Sequence, residues 1–200
     1  MNVLCYFGTF SPFISSHMMI VSLAEKVLGF DKVLIIPTLD SYHWKDNIIP
    51  YDTRVEYIEL TLKDEKLKAE VFVEENNDDV SYNYTYNVLK RIKYLGYNPS
   101  ILIGSDNLLT LDKWFNYKKL LNEFLVYIVN RDISKKDFER KMENYNKEIS
   151  SHPNVHYTCI EIFNLPSATE VRKMIAEKDW DNVSKHLSPS VLSKIKEEIK

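Results

Sequence analysis

The sequence predicts an α/β fold whose parallel sheet is connected by crossover helices, and three observations lead there. Short runs of β-branched, aliphatic and aromatic residues recur along the 200-residue chain. Longer stretches with apolar residues at three- and four-residue spacing separate them, the alternation that parallel strands require. The chemically unusual residues gather just after the apolar runs, where such a sheet opens its ligand crevice.

Strands are expected at Asn2–Phe7 (Val3, Leu4, Cys5, Tyr6), Lys32–Pro37 (Val33 to Ile36), Ala69–Glu74 (Val71, Phe72, Val73), Ile101–Gly104, Leu125–Asn130 (Val126 to Val129) and Val155–Cys159. Helical spacing places helices between them. Ile20 and Ala24 mark His17–Leu28, Val55, Ile58 and Leu62 mark Tyr51–Leu62, and Val88, Leu89 and Ile92 mark Tyr84–Tyr94. Leu108, Leu111 and Phe115 open Leu108–Leu121, and Phe138, Met142 and Tyr145 fill Lys135–Ile149. Thr169–Glu177 and Ser188–Ile199 close the chain. With no internal repeat and no low-complexity linker, residues 1–200 read as one domain of a size that buries a substantial core.

A net charge of -3 and a pI near 6.0 provide no basic surplus, so nonspecific nucleic-acid binding is not expected. Cys5 and Cys159 lack metal-ligand spacing and form no disulfide framework. No apolar run approaches the roughly 18 residues of a membrane span. These features predict a cytoplasmic protein with no membrane partner, and they leave a homo-oligomer open.

After the first strand comes Gly8-Thr9-Phe10-Ser11-Pro12-Phe13-Ile14-Ser15-Ser16-His17, then an apolar helix. A strand, a glycine turn and a helix make a phosphate-binding arrangement: the backbone can approach a ligand at Gly8, and the helix presents N–H groups to an anion. Ser16 reads as the N-cap, which puts His17 in the first turn as a donor to a phosphoryl oxygen. An ordinary tight turn with a surface histidine is the structural alternative.

The string resembles the GxFxPxHxGH signature of the nucleotidyltransferase superfamily, with Gly8, Phe10, Pro12 and His17 in place. Ile14 stands where that signature has His or Thr, Ser16 where it has Gly, and Ser11 where Asp or Asn is frequent. The resemblance implies ATP contacts at Gly8, Thr9, Phe10, Ser16 and His17. It also implies that one transition-state contact is missing at Ile14.

In the second loop, Tyr42-His43-Trp44-Lys45 and then Pro50 and Arg54 are similar to a basic segment of several adenylyltransferases. The resemblance makes Lys45 a triphosphate ligand, with Arg54 open to a structural role. Asn83-Tyr84-Thr85-Tyr86-Asn87-Val88-Leu89 resembles the SYTxDTL string of the bacterial nicotinate mononucleotide enzymes, Asn83, Asn87 and Val88 being replacements. That implies acceptor contacts at Tyr84 and Thr85, although tyrosines at helical spacing also serve packing.

Gly104, Asp106 and Trp114 copy the spacing of a GxDxxxxxxxW motif in the same enzymes. A carboxylate at a strand end accepts ribose hydroxyls and an indole stacks on a pyridinium, while a helix cap and a core tryptophan are the alternatives. Pro166-Ser167-Ala168-Thr169-Glu170-Val171-Arg172 resembles the superfamily's ISSTxxR string. Ser167 and Glu170 also spell a capping box. Ser167, Thr169 and Arg172 are expected on the β- and γ-phosphates.

Together these strings resemble the nicotinate/nicotinamide mononucleotide adenylyltransferase family over nearly the whole chain. The resemblance implies a Rossmann-like parallel sheet with helices on both faces, with ATP and a pyridine mononucleotide as ligands. Mg²⁺ would be held mainly by the ATP phosphates, with no protein metal site. His17, Lys45 and Arg172 would stabilise charge as the acceptor phosphate attacks the α-phosphate. A catalytically impaired nucleotide-binding homologue and a nucleotidyltransferase with another phosphorylated acceptor are the competing readings.

Overall fold

The computed structural model describes residues 1–40, 48–73, 80–130, 134–148, 155–161 and 165–199. Its strands are β1 (Asn2–Gly8), β2 (Lys32–Pro37), β3 (Glu70–Val71), β4 (Asn98–Gly104), β5 (Val126–Asn130) and β6 (Val155–Glu161). The helices are α1 (Ser15–Val27), α2 (Tyr51–Asp64), α3 (Thr85–Tyr94), α4 (Ser105–Leu108), α5 (Tyr117–Glu123), α6 (Lys135–Glu148), α7 (Ala168–Ala176), α8 (Trp180–Val183) and α9 (Pro189–Glu198). Two compact units result: Met1–Phe7 with Asn77–Phe163, and Gly8–Asn76 with Asn164–Lys200.

In the first unit the strand order is β1-β4-β5-β6, all parallel. Cys5 lies opposite Ile101, and Ile101 in turn opposite Val126. Leu4, Cys5, Ile101, Leu102, Val126 and Ile128 are fully buried, as expected of strands that read as continuous apolar runs. The Tyr145 hydroxyl anchors α6 by donating to the Leu108 carbonyl at 2.8 Å.

The helix expected over Leu108–Leu121 is broken in two. Leu108 ends α4, a single 3-10 turn covers Leu111–Lys113, and Asn116 sits in the left-handed region at φ 54° before α5 begins. Asparagine tolerates that conformation, which no continuous helix contains. The break leaves Trp114 and Phe115 on the connecting turn rather than along a helix.

In the second unit β2 and β3 pair in parallel, Leu34 with Glu70 and Ile35 with Val71. Strand β3 is shorter than the expected Ala69–Glu74, whose last residue lies outside the described set. Ile14, Tyr57, Val171, Ile175, Val183, Leu187, Val191 and Ile195 form this unit's apolar cluster. Helix α9 is tied to α2 through polar contacts: Ser190 donates its N–H and its hydroxyl to the Asp64 carboxylate at 2.8 Å each, and Tyr57 donates to Glu198 at 2.9 Å. Helix α8 was not expected; Asp179 caps its four residues by accepting from the Asn182 N–H. Among the described residues no helix is long and apolar enough to cross a membrane.

Candidate functional site

The loop after β1 is shaped by its own aromatic residues. A Cβ on Gly8 would fall 2.6 Å from Cε1 of Phe10, so the glycine makes room for that ring. The Phe10 ring thus fills the side of Gly8 where a Cβ would sit. Phe10 itself has φ 50°, a conformation disfavoured for a bulky residue and held here by packing. Its ring is 3% exposed and meets Phe13 and His17 edge-on, with centroids 5.4 and 5.1 Å away.

His17 is 8% exposed and sits in the first turn of α1, as expected. The N-cap, however, is Ile14 and not Ser16. Isoleucine has no capping oxygen, and the imidazole supplies only the reciprocal bond: the N-cap residue's own N–H, that of Ile14, donates to His17 Nδ1 at 3.0 Å. A nitrogen that accepts carries no proton, so the ring proton is on Nε2. Two of the helix's first N–H groups are already used, Ser15 by the His186 carbonyl and His17 by the Ile14 carbonyl. Ser15 Oγ also pairs with His186 Nδ1 at 2.9 Å. Burial, and after it the nearby Lys185 charge, pulls the His186 pKa below the ordinary histidine value.

The Ile14 side chain is fully buried in the apolar cluster, against residues of α2, α7 and α9. In place of a phosphate ligand the loop therefore carries a packing residue.

Arg172, on α7, reaches back to this loop. One guanidinium nitrogen donates to the Ser11 carbonyl at 2.5 Å and another to Thr169 Oγ1 at 3.1 Å. Burial lowers the guanidinium pKa from its usual value. At the start of α7 the capping box expected from the sequence is formed: the Ser167 N–H donates to Glu170 at 2.7 Å and the Glu170 N–H to Ser167 Oγ at 3.2 Å. The Ser167 N–H bond, and after it the bond that the Ser167 hydroxyl donates to the same carboxylate at 2.8 Å, hold the Glu170 carboxyl below the ordinary range.

Arg54 is 1% exposed and fully committed. It donates to the carbonyls of Ile49, Thr9 and Thr38 and to the Asp40 carboxylate, all at 2.7 to 2.8 Å. This settles the alternative left open by the sequence: Arg54 is structural, and it pins the loop after β1 to the loop after β2. Lys45 lies outside the described residues.

Gly8, Thr9, Phe10, Ser16, His17, Ser167, Thr169 and Arg172 all belong to the second unit. Gly104, Asp106, Tyr84, Thr85 and Trp114 belong to the first. There Gly104 ends β4, and exposed Asp106 occupies the first turn of α4. Tyr84 precedes α3 and stacks on Phe115 with centroids 5.0 Å apart and planes 29° off parallel. That stacking brings Tyr84 to the turn that carries half-buried Trp114.

Three contributors escaped the sequence reading. Ser11, 1% exposed, accepts from Arg172 through its carbonyl and from the Ile49 N–H through its hydroxyl. Phe115 supplies the stacking partner of Tyr84. Asn83 is buried with an unpartnered amide, and its only signal was its departure from the family's serine.

The family model described as cytidylyltransferase-like matches residues 5–184. The chain belongs to the cytidylyltransferase-like family. A family relative from Fusobacterium nucleatum, named as a probable nicotinate-nucleotide adenylyltransferase, is 32% identical over 90% of each chain. One of the same name from Flavobacterium johnsoniae is 27% identical over 96% of this chain and 94% of its own. Among solved structures, the Plasmodium falciparum nicotinic acid mononucleotide adenylyltransferase complexed with APC superposes with a TM-score of 0.74. It is 21% identical and covers 98% of this chain and 95% of that one. The same enzyme complexed with NaAD also gives 0.74 at 20% identity. The expected Rossmann-like parallel α/β fold of this cytidylyltransferase-like family is thereby confirmed.

Proposed function

We infer that the chain transfers AMP from ATP to nicotinate mononucleotide and releases pyrophosphate, the adenylyl-transfer step of NAD biosynthesis. The observation that carries this reading is the 2.5 Å bond from Arg172 to the Ser11 carbonyl. It draws the last phosphate motif in the sequence onto the loop that ends in His17. The names of the family relatives support the acceptor, and the Tyr84–Phe115 stack beside Trp114 supports an aromatic base.

In the reaction an oxygen of the acceptor phosphate attacks the α-phosphorus of ATP in line. The bond from that phosphorus to the bridging oxygen breaks, and pyrophosphate leaves with the electron pair. The attacking phosphate is already ionised, so no general base is required. His17 donates through Nε2, Arg172 supplies fixed charge, and Ser16, Ser167, Thr169, Gly8, Thr9 and the Phe10 backbone shape the phosphate cradle. Lys45 adds a second cation. Asp106 and Gly104 serve the ribose, and Tyr84, Thr85 and Trp114 the acceptor. Catalysis is positioning and charge stabilisation.

Mg²⁺ belongs to this proposal as a companion of the triphosphate, whose charge it neutralises. In this proposal its ligands are mainly phosphate oxygens. We place the reaction in the cytoplasm, on one functional domain.

Pyrophosphate release from ATP with nicotinate mononucleotide is the test, with His17→Ala as control. Undiminished turnover in that variant removes His17 from the mechanism. The burial of Ile14 favours a second reading, a nucleotide-binding homologue with weakened chemistry. Calorimetry that shows ATP binding without turnover selects it.

A further inference from the structure

The turn between α8 and α9 grips the start of α1 at one residue by two bonds. The His186 carbonyl accepts from the Ser15 N–H at 2.9 Å, and His186 Nδ1 pairs with Ser15 Oγ at 2.9 Å, 171 positions apart in sequence. Leu187, the next residue, belongs to the apolar cluster that holds Ile14. The turn is itself braced. The His186 and Leu187 N–H groups both donate to the Val183 carbonyl, at 2.9 and 3.2 Å, and Ser188 Oγ meets Thr61 Oγ1 of α2 at 3.2 Å.

Ser15 is the first residue of α1, and Ile14 is its N-cap. Because isoleucine brings no capping oxygen, the first turn relies on outside partners for its direction. A single bond to the Ser15 N–H would leave that residue free to pivot; the bond to its hydroxyl is a second point and fixes the rotation. The consequence is felt at His17, which accepts the Ile14 N–H at Nδ1 and so carries its proton on Nε2. Phe10 and Phe13 flank the imidazole with centroids 5.1 and 5.2 Å away, which limits its tilt but does not choose the nitrogen that is protonated. His186 itself, its pKa held low mainly by burial, is neutral at pH 7 and adds no charge; what it contributes is geometry.

We propose that His186 is a positioning residue for the transfer: by holding Ser15 at two points it sets the first turn of α1 and keeps the His17 proton on Nε2. The proposal rests on the reading of His17 as the phosphoryl donor above.

Pyrophosphate-release kinetics of the full chain with ATP and nicotinate mononucleotide test it. His186→Ala keeps the carbonyl bond and loses the ring; kcat falls about tenfold, the scale of one hydrogen bond. KM for ATP stays within about twofold, the pattern of an interaction made in the transition state. His186→Asn, whose side-chain amide occupies the place of Nδ1, recovers kcat. Ser15→Ala gives the same loss as His186→Ala, and the double variant loses no more than either. In a His17→Ala background His186→Ala costs nothing further, because the group it positions is gone. An unchanged kcat in His186→Ala overturns the proposal, and so does a loss of the same size in the His17→Ala background, which would mean that the residue only holds the fold together. If His186→Ala fails to fold, Ser15→Ala, which deletes only a hydroxyl, carries the same comparison. If the wild type does not turn over, the enzymatic reading fails, and nitrogen NMR shifts of the His17 ring decide in the unliganded protein. A fixed Nε2–H tautomer that gives way to a tautomer mixture in His186→Ala supports the positioning role; identical shifts overturn it.

Discussion

Arg172 donates to the Ser11 carbonyl across 161 positions of sequence, at 2.5 Å. A guanidinium used this way is fixed in direction, because one arm holds the loop and a second holds Thr169. Lysine would keep the charge but lose the fork. Arg172→Lys is therefore expected to lower kcat by roughly 10²-fold, within the range for losing one preorganised donor. Folding should be little affected, and pyrophosphate-release kinetics beside a thermal melt check both halves.

His17 performs two tasks that substitution can separate. Its Nδ1 caps Ile14 and its Nε2–H is the donor assigned to phosphate. His17→Ala loses both and should forfeit roughly 10²- to 10³-fold in kcat, together with about 1 kcal/mol of stability from the lost cap. His17→Asn offers an oxygen to the Ile14 N–H and should recover stability without recovering rate. Denaturant melts and single-turnover rates read the two effects independently.

Arg54 tests the structural side of the same loop. Truncation takes the Arg54 donor away from three carbonyls and from the Asp40 carboxylate, which keeps the Tyr51 N–H. Arg54→Ala is expected to destabilise by about 3–5 kcal/mol, which for a chain of this size is a fall in Tm of very roughly 6 to 20 °C. Calorimetric melting checks it; a Tm within a few degrees of wild type would contradict the clamp.

The sequence made the strands legible because Val33 to Ile36 or Val126 to Val129 can hardly be anything but buried parallel strands. The phosphate motifs were read through residue types at fixed spacing, and the fold puts His17 and Arg172 in the same unit. What spacing could not show was how backbone groups are satisfied. Nothing in Ser15-Ser16-His17 reveals that Ile14 is the N-cap of α1 and that the histidine accepts its N–H. Nothing in the apolar period of Leu108–Leu121 reveals that Asn116 turns left-handed and interrupts the helix. The Ile14 substitution was visible as a lost ligand, but its gain in packing is a tertiary fact. The amide of Asn83 was invisible for the same reason.

That packing changes what Ile14→His should do. Restoring the family's residue would place an imidazole among Tyr57, Val171, Ile175 and Val191, where the Tyr57 hydroxyl is already used on Glu198. We expect a destabilisation of about 1–3 kcal/mol from the buried polar group and no gain in turnover. Ile14→Val, which only trims the side chain, should cost about 0.5–1.5 kcal/mol. A rise in kcat for the histidine variant would mean that the loop can turn this position outward.

The junction of α2 with α9 sets an acid limit on stability. Desolvation alone would raise the Asp64 pKa, but the hydrogen bonds from the Ser190 N–H and hydroxyl outweigh it, with Ser188 and the Lys63 charge adding to the lowering. A carboxylate whose folded pKa lies below its unfolded value stabilises the fold above the ordinary aspartate pKa of about 4. That contribution disappears as pH falls through the lower folded value. Asp64→Asn removes the charge at every pH, so the variant should be less stable than wild type at neutral pH. The gap should narrow steadily below about pH 4. Thermal melts of both proteins across that range provide the check: a gap independent of pH would show that the serine contacts do not depend on the charge of Asp64.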